Sequence, residues 1–191
     1  MYSLVFALLA CAPHPVASTA ATSTAAAPAP DTISPPVTLD QFRAAFSVGT
    51  RIRLSIAASG APIIEQRWTW TAVDDIGCTI ATTLHDETGA PMPADPAAPS
   101  DQGPLRHEWA ELMGHAVFPA ARTTMIESTV DVPAGHFATW LYTVQDTEAD
   151  GTQKVTRYHF AQTMPGPPLL MITEVGGVEV FRMTMLERTQ P

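Results

Sequence analysis

Three titratable residues recur at four-residue spacing in His107-Glu108-x-x-Glu111-x-x-x-His115, the segment whose residue types come closest to chemistry. On a helix this spacing stacks His107, Glu111 and His115 along one stripe. Neighbouring members could then share a metal, as zinc helices do with paired histidines. The two histidines, however, would stand about 12 Å apart at 1.5 Å of rise per residue, too far to ligate one ion together. The zinc-protease spacing HExxH also fails, because Glu111 occupies the place of its second histidine. The stripe therefore reads as a solvated polar face, and a metal-dependent enzyme is the remote alternative. Cys78 opens a strand-like run and reads as a buried, inert thiol, since buried cysteine behaves as a small hydrophobe. No Gly-x-Ser-x-Gly occurs, and Ser59-Gly60 belongs to a turn. Gly176-Gly177 lies between strands rather than at a helix start, so it cradles no phosphate. The carboxylates are scattered through turns, where Asp is expected for its turn chemistry. No catalytic residue, metal site or cofactor follows, and the chain reads as a non-enzyme.

The aromatic residues are patterned instead. Trp68 and Trp70 sit two apart, as do Trp140 and Tyr142, and Tyr158 and Phe160; Phe181, Met183 and Met185 form an apolar row. In a strand, residues two apart face the same side. One sheet face carrying all of these is either a filled core or the lining of an apolar cavity, and both use the same residue types. Aromatic and methionine linings suit adaptable apolar binding. On the second reading Trp68, Trp70, Trp140, Tyr142 and Phe160 are the candidate ligand contacts.

The elements that would position them follow from periodicity and turn chemistry. Thr38-Leu39-Asp40-Gln41 has capping-box spacing, and Leu39, Phe42, Ala45 and Phe46 share a helical face, which predicts a short helix over 39–47. Arg51–Ile56 alternates, and strands are expected at 63–73 and 78–84, with turns at Ser59-Gly60 and Asp74–Gly77. Residues 86–104 lack any period and read as a long surface loop. Leu105, Trp109, Leu112, Met113 and Ala116 then fall on one face, which predicts a second helix over 105–118. Strands are expected at 123–130, 137–145, 153–162, 169–175 and 178–186. Val132-Pro133-Ala134-Gly135 suits a type I turn, and Gly176-Gly177 suits a two-residue hairpin. No βαβ rhythm appears, which excludes a parallel nucleotide-binding sheet. The expected fold is α+β and mostly β: a curved antiparallel sheet of about eight strands, a half-barrel, with two short helices.

The run Val132-Pro133-Ala134-Gly135-His136-Phe137, then Trp140 and Tyr142, then Arg157-Tyr158-His159-Phe160 and Pro165-Gly166-Pro167-Pro168 is similar to a pattern in exported bacterial proteins of unknown function. Some of these share the half-barrel of the LolA- and LolB-like lipoprotein carriers. The resemblance spans roughly 60 residues of turns and strands, so it implies a fold; a fold does not carry an activity with it. No set of functional residues transfers.

The front of the chain speaks to location. Leu4–Ala10 is apolar but far shorter than the roughly 20 residues that cross a bilayer, and fits the core of a signal peptide. Leu8-Leu9-Ala10-Cys11 resembles the bacterial lipobox, which implies acylation of Cys11. A plain secreted protein and a cytoplasmic one with an apolar start are the alternatives. Residues 12–36 are rich in Ala, Pro, Ser and Thr and hold almost no large apolar side chains, so they read as a disordered tether. The division is thus a signal segment with lipidated cysteine at 1–11, a tether at 12–36, and one domain at 37–191. Ala12, not Asp, follows the anchor, which makes the outer membrane, facing the periplasm, the expected site. The anticipated partners are the membrane, through the lipid, and an apolar ligand. A filled-core module of the cell envelope, binding a protein at 86–104, is the alternative. Ten basic against nineteen acidic residues give a formal charge of -9, a field that repels nucleic acid. Replacing the anchor, Cys11→Ser, is expected to abolish metabolic lipid labelling and release the domain into the soluble fraction; unchanged membrane association contradicts the lipobox reading.

Overall fold

The computed structural model describes residues 31–93 and 103–191. The signal segment, Cys11, the tether up to residue 30 and residues 94–102 of the long loop lie outside the described residues. The first described segment already belongs to the domain. Thr32–Ile33 (β1) pairs with Phe118–Pro119 (β6), and Tyr142 donates its hydroxyl proton to Ser34 O at 3.2 Å. Ile33, within the segment expected as tether, packs against an aromatic cluster.

The remaining strands are Arg51–Ala58 (β2), Ile64–Val73 (β3), Gly77–His85 (β4), Leu105–Glu108 (β5), Thr123–Val132 (β7), Gly135–Thr147 (β8), Gln153–Ala161 (β9), Leu170–Val175 (β10) and Val178–Thr189 (β11). They form one antiparallel sheet of nine strands in the order β5-β4-β3-β2-β11-β10-β9-β8-β7. Two meanders, β2 to β5 and β7 to β11, join where β2 pairs with β11. The architecture is the expected mostly-β α+β fold with a large, open antiparallel sheet. Gly176 and Gly177 have φ of +59° and +79°, which the tight turn between Val175 and Val178 requires.

The extra strand is β5. Residues 105–118 were expected to form one helix, but Leu105–Glu108 pairs with β4 and only Trp109–Gly114 (α2) is helical. Leu105 and Trp109 fit either period. The ladder to β4 prevails because Gly77 lets the backbone of residues 107–108 approach closely: a Cβ there would sit 2.1 Å from His107 O. The first helix, Leu39–Ala44 (α1), carries the capping box, with Thr38 and Gln41 each satisfying the other's backbone N–H.

Cross-strand register assigns one face of the sheet. The pairs Ile52↔Trp68, Trp70↔Ile80, Met183↔Ile56, Met171↔Met183, Tyr158↔Met171 and Tyr142↔Tyr158 place all the aromatic and methionine rows on the same side. Both helices cover this side. Phe46 is the hub: its ring stacks on Trp70 at 4.7 Å and on Trp109 at 5.9 Å, and meets Phe42 at 5.3 Å. The Arg188 guanidinium lies 4.7 Å from the Phe46 ring centre and donates to the carbonyls of Pro165 and Ala45. Burial pulls the Arg188 pKa down to about 10, which leaves it charged at neutral pH.

The opposite face carries an ion-pair group. Glu65, with its side chain 14% exposed, accepts from Arg53 and Arg67, and Arg53 also donates to Glu187. Hydrogen bonds from Arg53, then from Arg67, outweigh desolvation and hold the Glu65 carboxyl down at about 2. A carboxyl whose pKa is depressed by folding stabilises above its unfolded value and loses that contribution as pH falls through the folded value. Between pH 5 and 2 the wild type should therefore lose up to about 3 kcal/mol from this group. Urea unfolding at pH 7 and pH 3 checks it: Glu65→Gln should be less stable at pH 7 and show a smaller loss on acidification.

Candidate functional site

The aromatic face is divided. One cluster packs beneath the helices and contains Phe42, Phe46, Ile52, Leu54, Trp70, Cys78, Ile80, Trp109 and Met185. A second, beneath β1 and β6, contains Phe118, Tyr142 and Val144, with Trp140, Tyr158 and Phe160 packed against it. Between the two lies a half-open cavity of about 420 Å³. Trp68, Trp70, Ile80 and Leu112 form one wall; Tyr158 and Phe160 form the other, with Met171 and Met183 between them. Pro167 and Pro168 close the side near α1. The volume lies within the range of about 300–1,000 Å³ for small-ligand sites, and the lining is largely apolar.

The curvature and the helix lengths account for the opening. Each helix has six residues, which at 1.5 Å per residue is about 9 Å of cover. Nine strands at about 4.8 Å spacing make a sheet several times wider. The helices pack over the Trp70 cluster, the β1–β6 pair packs over Tyr142, and the cavity lies between them, edged by Leu112, His115 and Ala116.

Of the expected contacts, Trp68, Trp70 and Phe160 line the cavity. Trp140 and Tyr142 do not. Tyr142 is fully buried against Phe118 at 5.3 Å and Phe160 at 5.6 Å, its hydroxyl is tied to Ser34 O, and burial pushes its pKa up to about 12. Trp140 packs against the same cluster. Both belong to the satellite core, because β1 and β6 cover their end of the sheet. The pairing of β1 with β6 involves only two residues on each side, too few for a periodic signal in the sequence.

His107, Glu111 and His115 fare differently from either sequence reading. His107 is on β5 and Glu111 on α2, so no helical stripe forms. His107 and His115 nevertheless both line the cavity; Gln66, Thr82, Tyr158, Trp68 and Trp70 are the other lining residues with side-chain polar atoms, and Trp70 Nε1 is sealed without a partner. His107 Nδ1 is sealed from solvent without a hydrogen-bond partner, and lies 3.7 Å from Glu111 Oε1. Among the described residues no group of three or more His, Cys, Asp or Glu side chains is arranged to hold a metal ion. Cys78 is fully buried, and burial pushes its thiol pKa up, which suppresses the reactive thiolate.

The turn Asp74–Gly77 positions the β5 wall. The Asp74 carboxylate accepts from the Ile76 and Gly77 amides and from Arg106, first among the causes that hold it well below the usual carboxylate range. The Asp74 carbonyl accepts from Trp109 Nε1 at 2.8 Å, and Ile76 O accepts from Trp109 N at 3.0 Å. One turn thus fixes both β5 and the start of α2.

No family model, curated protein or solved structure matches the chain.

Gly77→Ala should force residues 107–108 away from β4. A loss of about 1–3 kcal/mol in urea unfolding is expected, with faster amide exchange at Leu105–Glu108. Exchange as slow as in the wild type there contradicts the assigned role of the close approach.

Proposed function

We propose that this domain is a non-enzymatic binding module that holds an apolar ligand in the cavity between the sheet and α2. The observation that carries the reading is the half-open cavity of about 420 Å³ walled by Trp68, Trp70, Tyr158, Phe160, Met171 and Met183. An apolar lining left facing water forgoes the stabilisation of burial, and an apolar occupant restores it. The lining is rich in aromatics and methionine, which adapt to the shape of a chain-like hydrocarbon.

The lipobox-like Leu8-Leu9-Ala10-Cys11 supports a place for the module at the cell envelope. Lipid on Cys11 would tether it to the membrane, on the periplasmic face of the outer membrane, where apolar molecules need shielding from water in transit. Among the described residues no helix is long and apolar enough to cross a membrane, so the lipid would supply the attachment.

Native mass spectrometry of the expressed full chain tests the reading. A co-purified lipid or other apolar molecule is expected on the wild type. Thr82→Trp and Met171→Trp each project an indole into the cavity and should lose the adduct while thermal unfolding stays cooperative. Wild-type protein that carries no adduct and takes up none of a panel of lipids contradicts the proposal.

A further inference from the structure

The cavity's charge and its histidine narrow the kind of molecule it suits. No lysine or arginine is among the described residues that line it. Arg106 is directed to Asp74, and Arg188 is spent on two backbone carbonyls and the Phe46 ring. A carboxylate, Glu111, lies beside the cavity-lining His107, 3.7 Å from its Nδ1. Burying an ionised carboxylate or phosphate without a cation costs several kcal/mol, and Glu111 adds repulsion to that cost. An anionic head group is therefore disfavoured in this cavity.

His107 supplies the complementary feature. Its Nδ1 is sealed and faces Glu111. A carboxylate on that side favours the tautomer with the proton on Nδ1, which leaves the Nε2 lone pair as an acceptor. His107 lines the cavity and its Nδ1 is sealed, so Nε2 is the ring nitrogen that a ligand could reach. Nε2 has no hydrogen-bond partner among the described residues. An acceptor in an apolar site is satisfied by a ligand that brings a donor.

We infer that the cavity takes a neutral, single-chain amphiphile whose hydroxyl donates to Nε2 of His107. This rests on the reading of the cavity as a ligand site. The volume, near the lower end of the range for small-ligand sites, suits one hydrocarbon chain rather than the two of a diacyl lipid.

The test compares 1-dodecanol, dodecanoate and dodecane on the delipidated full chain at pH 8, followed by quenching of tryptophan fluorescence. 1-Dodecanol should bind about five- to tenfold more tightly than dodecane, the gain from one hydrogen bond in a dry site. It should exceed dodecanoate by at least the same factor. His107→Leu should erase the preference for the alcohol over the alkane, and His107→Asn, which keeps a hydrogen-bonding side chain there, should restore part of it. Thermal unfolding of each variant checks that the fold is intact. Dodecanoate binding as tightly as the alcohol, or a preference that survives in His107→Leu, overturns this inference and leaves the apolar-ligand reading standing. Failure of all three probes overturns both.

Discussion

The Phe46 ring is the contact on which the rest of the domain depends. It stacks on the Trp70 and Trp109 indoles and lies beneath a half-buried guanidinium, so a single side chain joins α1, α2, β3 and β11. Aromatic pairs of this kind add about 0.5–1.5 kcal/mol each beyond the area they bury. Helices of six residues have little stability of their own, since nucleation outweighs propagation at that length. Their attachment to the sheet therefore has to come from tertiary packing, and the Phe46 stack provides it at one place. The consequence is geometric. Cover concentrated at one end of a nine-stranded sheet, with a second small cover at the other, leaves a gap in the middle.

Arg188 shows what this arrangement demands. A cation in a half-buried position without a carboxylate is expensive, and its Nε is sealed without a partner. What offsets the cost is structural: the guanidinium ties the last strand to the C-terminal end of α1 and to the proline turn that closes one side of the cavity. The wall is held by the same hub that holds the helices. The opposite wall is held by the Asp74–Gly77 turn, whose carboxylate, carbonyls and one glycine locate β5 and α2 together. Two small polar devices thus flank an otherwise apolar space.

Much of this was legible in the sequence, for physical reasons that differ from element to element. The aromatic rows were, because the two-residue period of a strand is strict and each pair lay inside a well-bounded run. The Gly176-Gly177 hairpin and the α1 capping box were, because both depend on local chemistry alone. The long-range features were not. Arg188 is an odd number of residues from Met185 and so should point to the opposite face, but a bulge between Met185 and Glu187 turns it inward. The bulge after Trp70 likewise returns Val73 to the face of Trp70. β5 was hidden because Leu105 and Trp109 satisfy a helical period, and only its ladder to β4 decides otherwise. The division of the aromatic face into two clusters depends on a two-residue pairing, β1 with β6, that leaves no periodic trace. Trp140 and Tyr142 were for that reason indistinguishable in sequence from Trp68 and Phe160.

Whether the space between the clusters is a binding site is settled by a crystal structure of the full chain purified from a bacterial expression host without delipidation. The account predicts elongated electron density between Trp68, Phe160 and Met171, with those side chains close to the positions described above. A cavity closed by inward movement of Trp68 and Phe160 into contact, with no such density, would contradict it.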